Sequence, residues 1–107
     1  MKYRAYTTDG TKPSDIKNEI LYIIASARAS DTELVKITVG DGGDIAKKNM
    51  RSALRFLKEF KTAGKIQLYA TKDSFLQSSV EAQYLLNKYG EYVDHMTDPD
   101  TFVFIKI

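Results

Sequence analysis

The residues best placed to do chemistry lie at one glycine-rich corner, Val39 to Asp44, between an apolar β-like segment and a long helix-like segment. A strand that enters a helix through glycines leaves backbone N–H groups unpaired at the helix start, where they can hold a phosphate or another anion. The corner is neither a Walker loop, because no Gly-Lys-Ser/Thr follows, nor a dinucleotide fingerprint, because the G-x-G-x-x-G spacing fails at Ile45. Asp41 and Asp44 would repel an anion, so a phosphate bound here requires cations nearby.

Such cations follow on the predicted helix. At about 100° per residue, its basic side chains fall on one side, opposite Ala53 and Phe60. Residues 44–65 hold seven basic side chains against two acidic ones, a local charge of +5. Solvated helices also carry lysines for solubility alone, but a stripe of one sign favours a phosphate backbone, of DNA or RNA, as its partner. The predicted nucleic-acid-binding residues are Lys47, Lys48, Arg51, Arg55 and Lys58, with Gly42 and Gly43.

The two glycines have a simpler use as well. Glycines at a strand-to-helix corner let the chain turn with positive φ, without any ligand. If they serve binding, Gly42 and Gly43 do so by letting the backbone come close to a phosphate.

Two other groups of polar residues favour catalysis less. His95, the only histidine, lies among carboxylates and a proline in a stretch typical of a solvated turn. Asp9, Asp41 and Asp44 could converge on a magnesium ion, as in a metal-dependent hydrolase, but such aspartates more often cap helices. We therefore predict no catalytic residue, no metal site and no cofactor.

Composition limits the class of protein. A chain of 107 residues, 43% apolar and 28% charged, is typical of one folded domain, which we expect to span residues 1–107. No apolar run is long enough to cross a bilayer, and no cysteine is present for a disulfide or a thiolate zinc site. The sequence therefore favours a cytoplasmic protein with no membrane partner.

Helical spacing of apolar residues predicts three helices. We expect Thr11 or Ser14 to cap the first and Asp44 to cap the second, and we expect the third to begin near Ser78. The predicted inner stripes are Ile16, Ile20, Ile23, Ile24 and Ala27 in the first helix, Ala46, Met50, Ala53, Leu54, Leu57 and Phe60 in the second, and Ala82, Leu85, Leu86 and Tyr89 in the third.

Four strands complete the prediction. Period-two alternation predicts strands over residues 2–8, 34–39 and 66–70. Residues 101–107 are apolar on both faces, which predicts a strand inside the sheet, since an edge position would expose one of those faces. The expected fold is α/β, a two-layer βαβαβ(α)β arrangement with a four-stranded mixed sheet and the last strand interior. Right-handed crossovers would place the first two helices on the same face.

The later part of the chain has the opposite charge. Residues 73–100 hold six acidic side chains against Lys88 alone, a local charge of −5. Val80 and Tyr84 fall opposite the inner stripe of the third helix and could form an exposed patch with Tyr92, although packing over the sheet is the commoner use of such side chains. The alternative function is therefore a protein-interaction or accessory module, which binds a protein partner or a second copy of itself through this helix and the acidic segment.

Two motif windows carry a family resemblance. A strand ends at Asp9-Gly10, an amphipathic helix follows, and a second strand runs through Val39-Gly40-Asp41-Gly42 into the basic helix. This arrangement resembles a small MutS-related (Smr) domain. Members carry Leu-Asp-Leu-His-Gly in the first window, where this chain has Tyr6-Thr7-Thr8-Asp9-Gly10, and His-Gly-x-Gly in the second. Both glycines of the second motif are present, and the histidines and the early aspartate are not.

The resemblance implies an initiation-factor-type fold and binding of branched or structured DNA or RNA. Some members also cleave these substrates, and without the motif's polar residues we expect binding without nuclease activity. A helix near residues 78–90 stands where the family usually has a glycine-rich loop. If the resemblance does not hold, the next architecture is a flavodoxin-like, all-parallel sheet with three crossover helices.

Overall fold

The chain forms a mixed four-stranded sheet with helices on both of its faces. The computed structural model describes residues 2–8, 12–40, 43–93 and 100–107. Its strands are β1 (Tyr3–Thr7), β2 (Leu34–Gly40), β3 (Leu68–Thr71) and β4 (Thr101–Lys106). Its helices are α1 (Pro13–Ala29), α2 (Asp44–Thr62), α3 (Lys72–Leu76) and α4 (Val80–Tyr89).

The strand order is β1-β2-β4-β3. β1 and β2 pair in parallel, and β4 lies antiparallel between β2 and β3. The predicted mixed sheet with the last strand interior is therefore confirmed, and an all-parallel flavodoxin-like sheet is excluded. The reason is burial: Phe102, Val103, Phe104 and Ile105 are each at most 1% exposed, which requires strands on both sides and helices on both faces.

Alternation along the strands separates two cores. α1 and α2 pack against the face that carries Val35, Ile37 and Ile105. α3 and α4 pack against the opposite face, around Phe102 and Phe104. The predicted two layers are therefore found in the βαβαβ part of the chain. α3 and α4 form a partial third layer on the other face of the sheet, which the prediction did not include.

The inner stripes of α1 and α2 follow the predicted spacing. The five predicted residues of α1 are all buried, and α2 buries Asn49 and Phe56 in addition to five of its six predicted residues. Leu54, the sixth, is partly buried against the same core. In α4 the prediction for Leu86 is wrong, because it is 37% exposed while Ala82, Leu85 and Tyr89 alone face the sheet.

The predicted helix caps differ from those in the structure. Lys12 is the N-cap of α1, without a side-chain hydrogen bond, and Ser14 lies inside the first turn because Pro13 already occupies the first helical position. Thr11 lies outside the described residues. Gly43 is the N-cap of α2, so Asp44 falls one residue later, in the first turn. A carboxylate there still faces the positive end of the helix dipole.

The sequence reading missed α3. Thr71 and Ser74 form its capping box, in which each side chain accepts a hydrogen bond from the other residue's backbone N–H. This motif is usually recognised by a Glu or Gln at the third helical position, where this chain has a serine. α4 begins two residues later than Ser78, with Ser79 Oγ accepting a hydrogen bond from Ala82 N at 3.1 Å.

A buried tyrosine ties α4 to the start of β2. Tyr89 Oη donates to Glu33 Oε1 at 3.0 Å, and burial followed by this hydrogen bond raises the pKa of Tyr89 above its usual value of about 10. The neutral phenol is therefore favoured in the folded chain. The stability that it contributes is intact below about pH 10 and is lost as the pH rises beyond that value.

We expect the free energy of unfolding to fall above about pH 10 more steeply in the native chain than in Tyr89→Phe. Urea unfolding at several pH values measures both slopes, and equal slopes would show that Tyr89 is not involved.

Candidate nucleic-acid interface

The basic side chains of α2 and the turn after it all face solvent. Lys47, Lys48, Arg51, Arg55, Lys58, Lys61 and Lys65 are exposed. They lie outward because Ala53, Leu57 and Phe60 hold the opposite side of the helix in the core. The structure therefore brings the five predicted cations together on one open helix face.

Glu59 lies beside Arg55 and Lys58 on this face, but it forms no ion pair with them. Among the described residues, no carboxylate lies within ion-pair distance of these cations. Arg55 places its guanidinium 5.1 Å from the centroid of the Phe56 ring, which orients the side chain and leaves its N–H donors available. A row of exposed like charges without ion-pair partners among the described residues is a surface that attracts a polyanion.

Half of the described acidic side chains of residues 73–100 lie away from α2. Glu81 and Glu91 belong to α4 and the turn after it, on the side of the sheet opposite α2. Asp73 and Asp100 are the described exceptions, because both approach the start of α2 at the edge of the sheet. The sheet thus separates two of the four described acidic side chains of residues 73–100 from the cationic face of α2, and the other two lie beside the start of that face.

The predicted glycine corner is partly described. β2 ends at Gly40 with φ of +143°, and its pairing with β4 shifts register between Thr38 and Gly40. Gly43 has an extended backbone, with φ of −78° and ψ of 177°, that any residue adopts. Positive φ therefore explains the glycine at 40 but not the one at 43. Gly42 and Asp41 lie outside the described residues.

Gly40 also allows close packing. A Cβ placed on it would lie 3.0 Å from the Cβ of Ala46, at the start of α2, whereas Gly64, with φ of +76°, has open space around it.

We expect Gly40→Ala to lower the free energy of unfolding by about 2–3 kcal/mol and Gly64→Ala by about 1 kcal/mol, since only the first combines backbone strain with a steric clash. Chemical denaturation of both variants measures the difference, and equal losses would refute the packing role of Gly40.

A cavity of about 420 Å³ opens beside the start of α2. It lies where β3 ends and β4 begins, on the side of the sheet on which the parallel strands finish, the usual place for ligands in open α/β sheets. Charged, hydroxyl and apolar side chains all line it, namely Lys47, Arg51, Lys72, Asp73, Asp100, Thr71, Thr101, Met50, Leu54 and Phe102. Among the described lining residues three cations face two anions, so this part of the wall continues the positive surface of α2.

Only Lys47 and Arg51 of these ten lining residues were predicted as site residues, and four of the other eight lie where β3 ends and β4 begins. Thr71 is the last residue of β3 and Lys72 follows it, whereas Thr101 is the first residue of β4 and Asp100 precedes it. They meet because β4 runs antiparallel to β3, which brings its start to the end of β3. The sequence predicted the interior position of the last strand, but the spacing of its residues does not give its antiparallel direction.

The other polar groups considered from the sequence do not form a described site. Asp9, Asp41 and His95 lie outside the described residues. Within residues 2–8, 12–40, 43–93 and 100–107, no three His, Cys, Asp or Glu side chains are grouped closely enough to hold a metal ion. The same residues contain no helix that is long and apolar enough to cross a membrane.

Together the fold and the site define a mixed α/β domain with a cationic helix face beside a cavity at the strand ends. The chain matches no protein-family model, no curated protein and no solved structure. Evidence for function therefore comes from the chemistry of the site.

Proposed function

We propose that the protein is a nucleic-acid-binding domain, resembling a degenerate Smr domain, that contacts DNA or RNA through the outer face of α2. The observation that carries this proposal is the row of exposed cations, none of which forms an ion pair with a described carboxylate. Eleven residues separate Lys47 from Lys58, about 16 Å along a helix, which is long enough to contact several phosphates in succession.

The cavity supports the same surface. Lys47 and Arg51 belong both to the cationic face and to the cavity wall. A nucleic-acid strand that follows α2 toward its N-terminus therefore meets Arg51 and Lys47 as it reaches the cavity. The apolar side chains of Met50 and Leu54 offer a surface for a base or sugar beside these phosphate contacts.

The proposal is binding without cleavage, because this chain lacks the histidines of the two Smr motifs. The resemblance places histidines at positions 9 and 39, where this chain has Asp9 and Val39. Val39 is buried in the core between the sheet and its two helices, where an apolar side chain can neither transfer a proton nor bind a metal. The proposal therefore assigns no nuclease activity.

A salt titration tests the proposal. Labelled branched DNA, duplex DNA and structured RNA are each titrated with the protein at 50 and 200 mM salt. Five phosphate contacts on a duplex predict a loss of affinity of about 500-fold between the two concentrations. The absence of binding to all three ligands at the lower salt concentration would refute the proposal.

A second candidate, a protein-interaction module, is favoured by exposed apolar side chains on α3 and α4. Leu76 and Val80 are 68% and 81% exposed, and Tyr84 and Leu86 are each 37% exposed. Val80 and Tyr84 lie one turn apart on the same face of α4, and exposed apolar groups so placed often mark a protein contact. If this surface carries the function, Val80→Glu should abolish binding of a protein partner and Arg51→Glu should not, with both variants compared in the same cross-linking experiment.

A further inference from the structure

The cationic row of α2 ends beside carboxylates at the start of the helix. Lys47 and Arg51 are the members of the row that reach the cavity at the strand ends. Asp73 and Asp100 line the same cavity, and Asp44 lies in the first turn of α2. A polyanion that follows the row from the C-terminal end of α2 therefore meets attraction along the helix and repulsion where the helix begins.

Within the cavity the two kinds of charge come from different elements. Lys47 and Arg51 are one turn apart on α2, whereas Asp73 belongs to α3 and Asp100 precedes β4. Neither Lys47 nor Arg51 forms an ion pair with a described carboxylate. The cavity therefore suits a ligand with negative charge at one end and hydrogen-bond donors at the other.

The size and the apolar lining of the cavity narrow the class of ligand. Its volume of about 420 Å³ falls within the roughly 300–1,000 Å³ of pockets that hold small organic molecules. Met50, Leu54 and Phe102 add apolar surface to the wall. An inorganic anion would use only the cations, and an amino acid would not account for the row that leads into the cavity. A nucleotide at the end of a strand uses the cations, the carboxylates and the apolar surface together.

We propose that the cavity binds the 3′-terminal ribonucleotide of an RNA strand whose preceding phosphates lie along α2, an inference that rests on the proposed function. Lys47 and Arg51 bind the phosphate of the last nucleotide, and Asp73 and Asp100 accept hydrogen bonds from its 2′- and 3′-hydroxyls. Carboxylates bind ribose hydroxyls in the same way in dinucleotide sites. Each carboxylate has about four acceptor sites, so Asp100 can accept from a ribose in addition to its interaction within the protein.

The carboxylates favour a free 3′ end over other parts of a nucleic acid. A 3′ end of RNA finishes in two hydroxyl donors, whereas an internal nucleotide would place its next phosphate beside Asp73 and Asp100. Deoxyribose lacks the 2′-hydroxyl, so the end of a DNA strand offers one donor fewer. The cavity therefore selects RNA, a choice that the cations of α2 alone do not make.

Fluorescence anisotropy with single-stranded RNA labelled at its 5′ end tests the proposal. One sequence is compared in three forms: with a free 3′ end, with a 3′-phosphate, and with a 2′-deoxynucleotide in the last position. At about 50 mM salt we expect each modified end to bind at least about fivefold more weakly, because each loses a hydrogen bond to a carboxylate. A purely cationic surface would bind the 3′-phosphate more tightly, since that end carries additional negative charge.

Replacing both carboxylates with amides should remove the preference for the free end. In Asp73→Asn with Asp100→Asn, the ratio of affinities between the free end and the 3′-phosphate should fall to about one, because the amides do not repel a phosphate. Asp31→Asn with Glu91→Gln makes the same change in charge at exposed positions outside the cavity wall, and should keep the ratio of the native chain. Circular dichroism checks folding, and the exposed Asp73→Asn alone should lower the ratio if the double variant does not fold.

The outcomes separate this inference from the proposed function. Equal or tighter binding of the 3′-phosphate by the native chain would overturn the assignment of the cavity and leave nucleic-acid binding by α2 in place. A preference for the free end that survives in the folded amide variants would also overturn it. The absence of binding to all three RNAs would overturn this inference, and the titration with DNA then decides the proposed function separately.

Discussion

Replacing Arg51 and Arg55 together with glutamate should weaken nucleic-acid binding at least about 30-fold at 0.15 M salt. Each cation that contacts a phosphate releases about one counterion, and losing one such contact at this ionic strength costs roughly fivefold in affinity. The two glutamates add repulsion to the loss of two contacts. Fluorescence anisotropy with labelled duplex DNA and structured RNA measures the change, and the salt dependence of binding should become shallower by about two units of slope.

A matched variant separates this surface from net charge. Lys2→Glu with Lys88→Glu makes the same change in total charge at exposed positions away from α2. We expect that variant to bind within about threefold of the native chain, because charges beyond a Debye length of roughly 8 Å are screened. If both double variants lose affinity equally, the nucleic acid responds to overall charge, and the α2 surface has no special role.

Replacing Phe104 with alanine should cost about 4 kcal/mol of stability. Phe104 is fully buried in the interior strand, and its ring lies 5.8 Å from that of Phe75 and 5.5 Å from that of Phe102, both edge to face. Truncation removes these contacts and leaves a cavity between β4 and α3. Small domains are stable by about 5–15 kcal/mol, so the variant should be close to unfolding under mild conditions.

Urea denaturation of Phe104→Ala and Leu86→Ala provides the comparison. Leu86 is of similar apolar character but 37% exposed, and its truncation should cost under about 1 kcal/mol. A loss below about 2 kcal/mol for Phe104→Ala would mean that the α3–α4 core is loosely packed and contributes little to the fold.

The fold was predictable for those helices and strands whose pattern of apolar residues shows which faces are buried. The spacing of Ile16, Ile20 and Ile23 fixed the inner side of α1, and the doubly apolar sequence of β4 required an interior strand. α3 was not predictable from the spacing of its apolar residues, because a helix of five residues is too short to show a helical period. Its capping box also has Ser74 where a glutamate is usual. Leu86 was misplaced because the sheet covers only a narrow arc of α4.

The site was predictable to a smaller extent. Helical spacing alone placed Lys47, Arg51 and Arg55 on one exposed face. Their separation from Glu81 and Glu91 could not be read from the sequence, because it depends on α4 packing on the other face of the sheet. The cavity depends in addition on the antiparallel direction of β4, a pairing between residues distant in sequence.

Amide chemical shifts of the ¹⁵N-labelled protein, recorded while structured RNA or duplex DNA is added at low salt, test the central claim most directly. The account predicts that the largest changes fall on residues 47–58 of α2 and on Thr71 and Thr101 beside the cavity, with little change on α4. Changes confined to α3 and α4, or none at protein concentrations well above the expected dissociation constant, would contradict it.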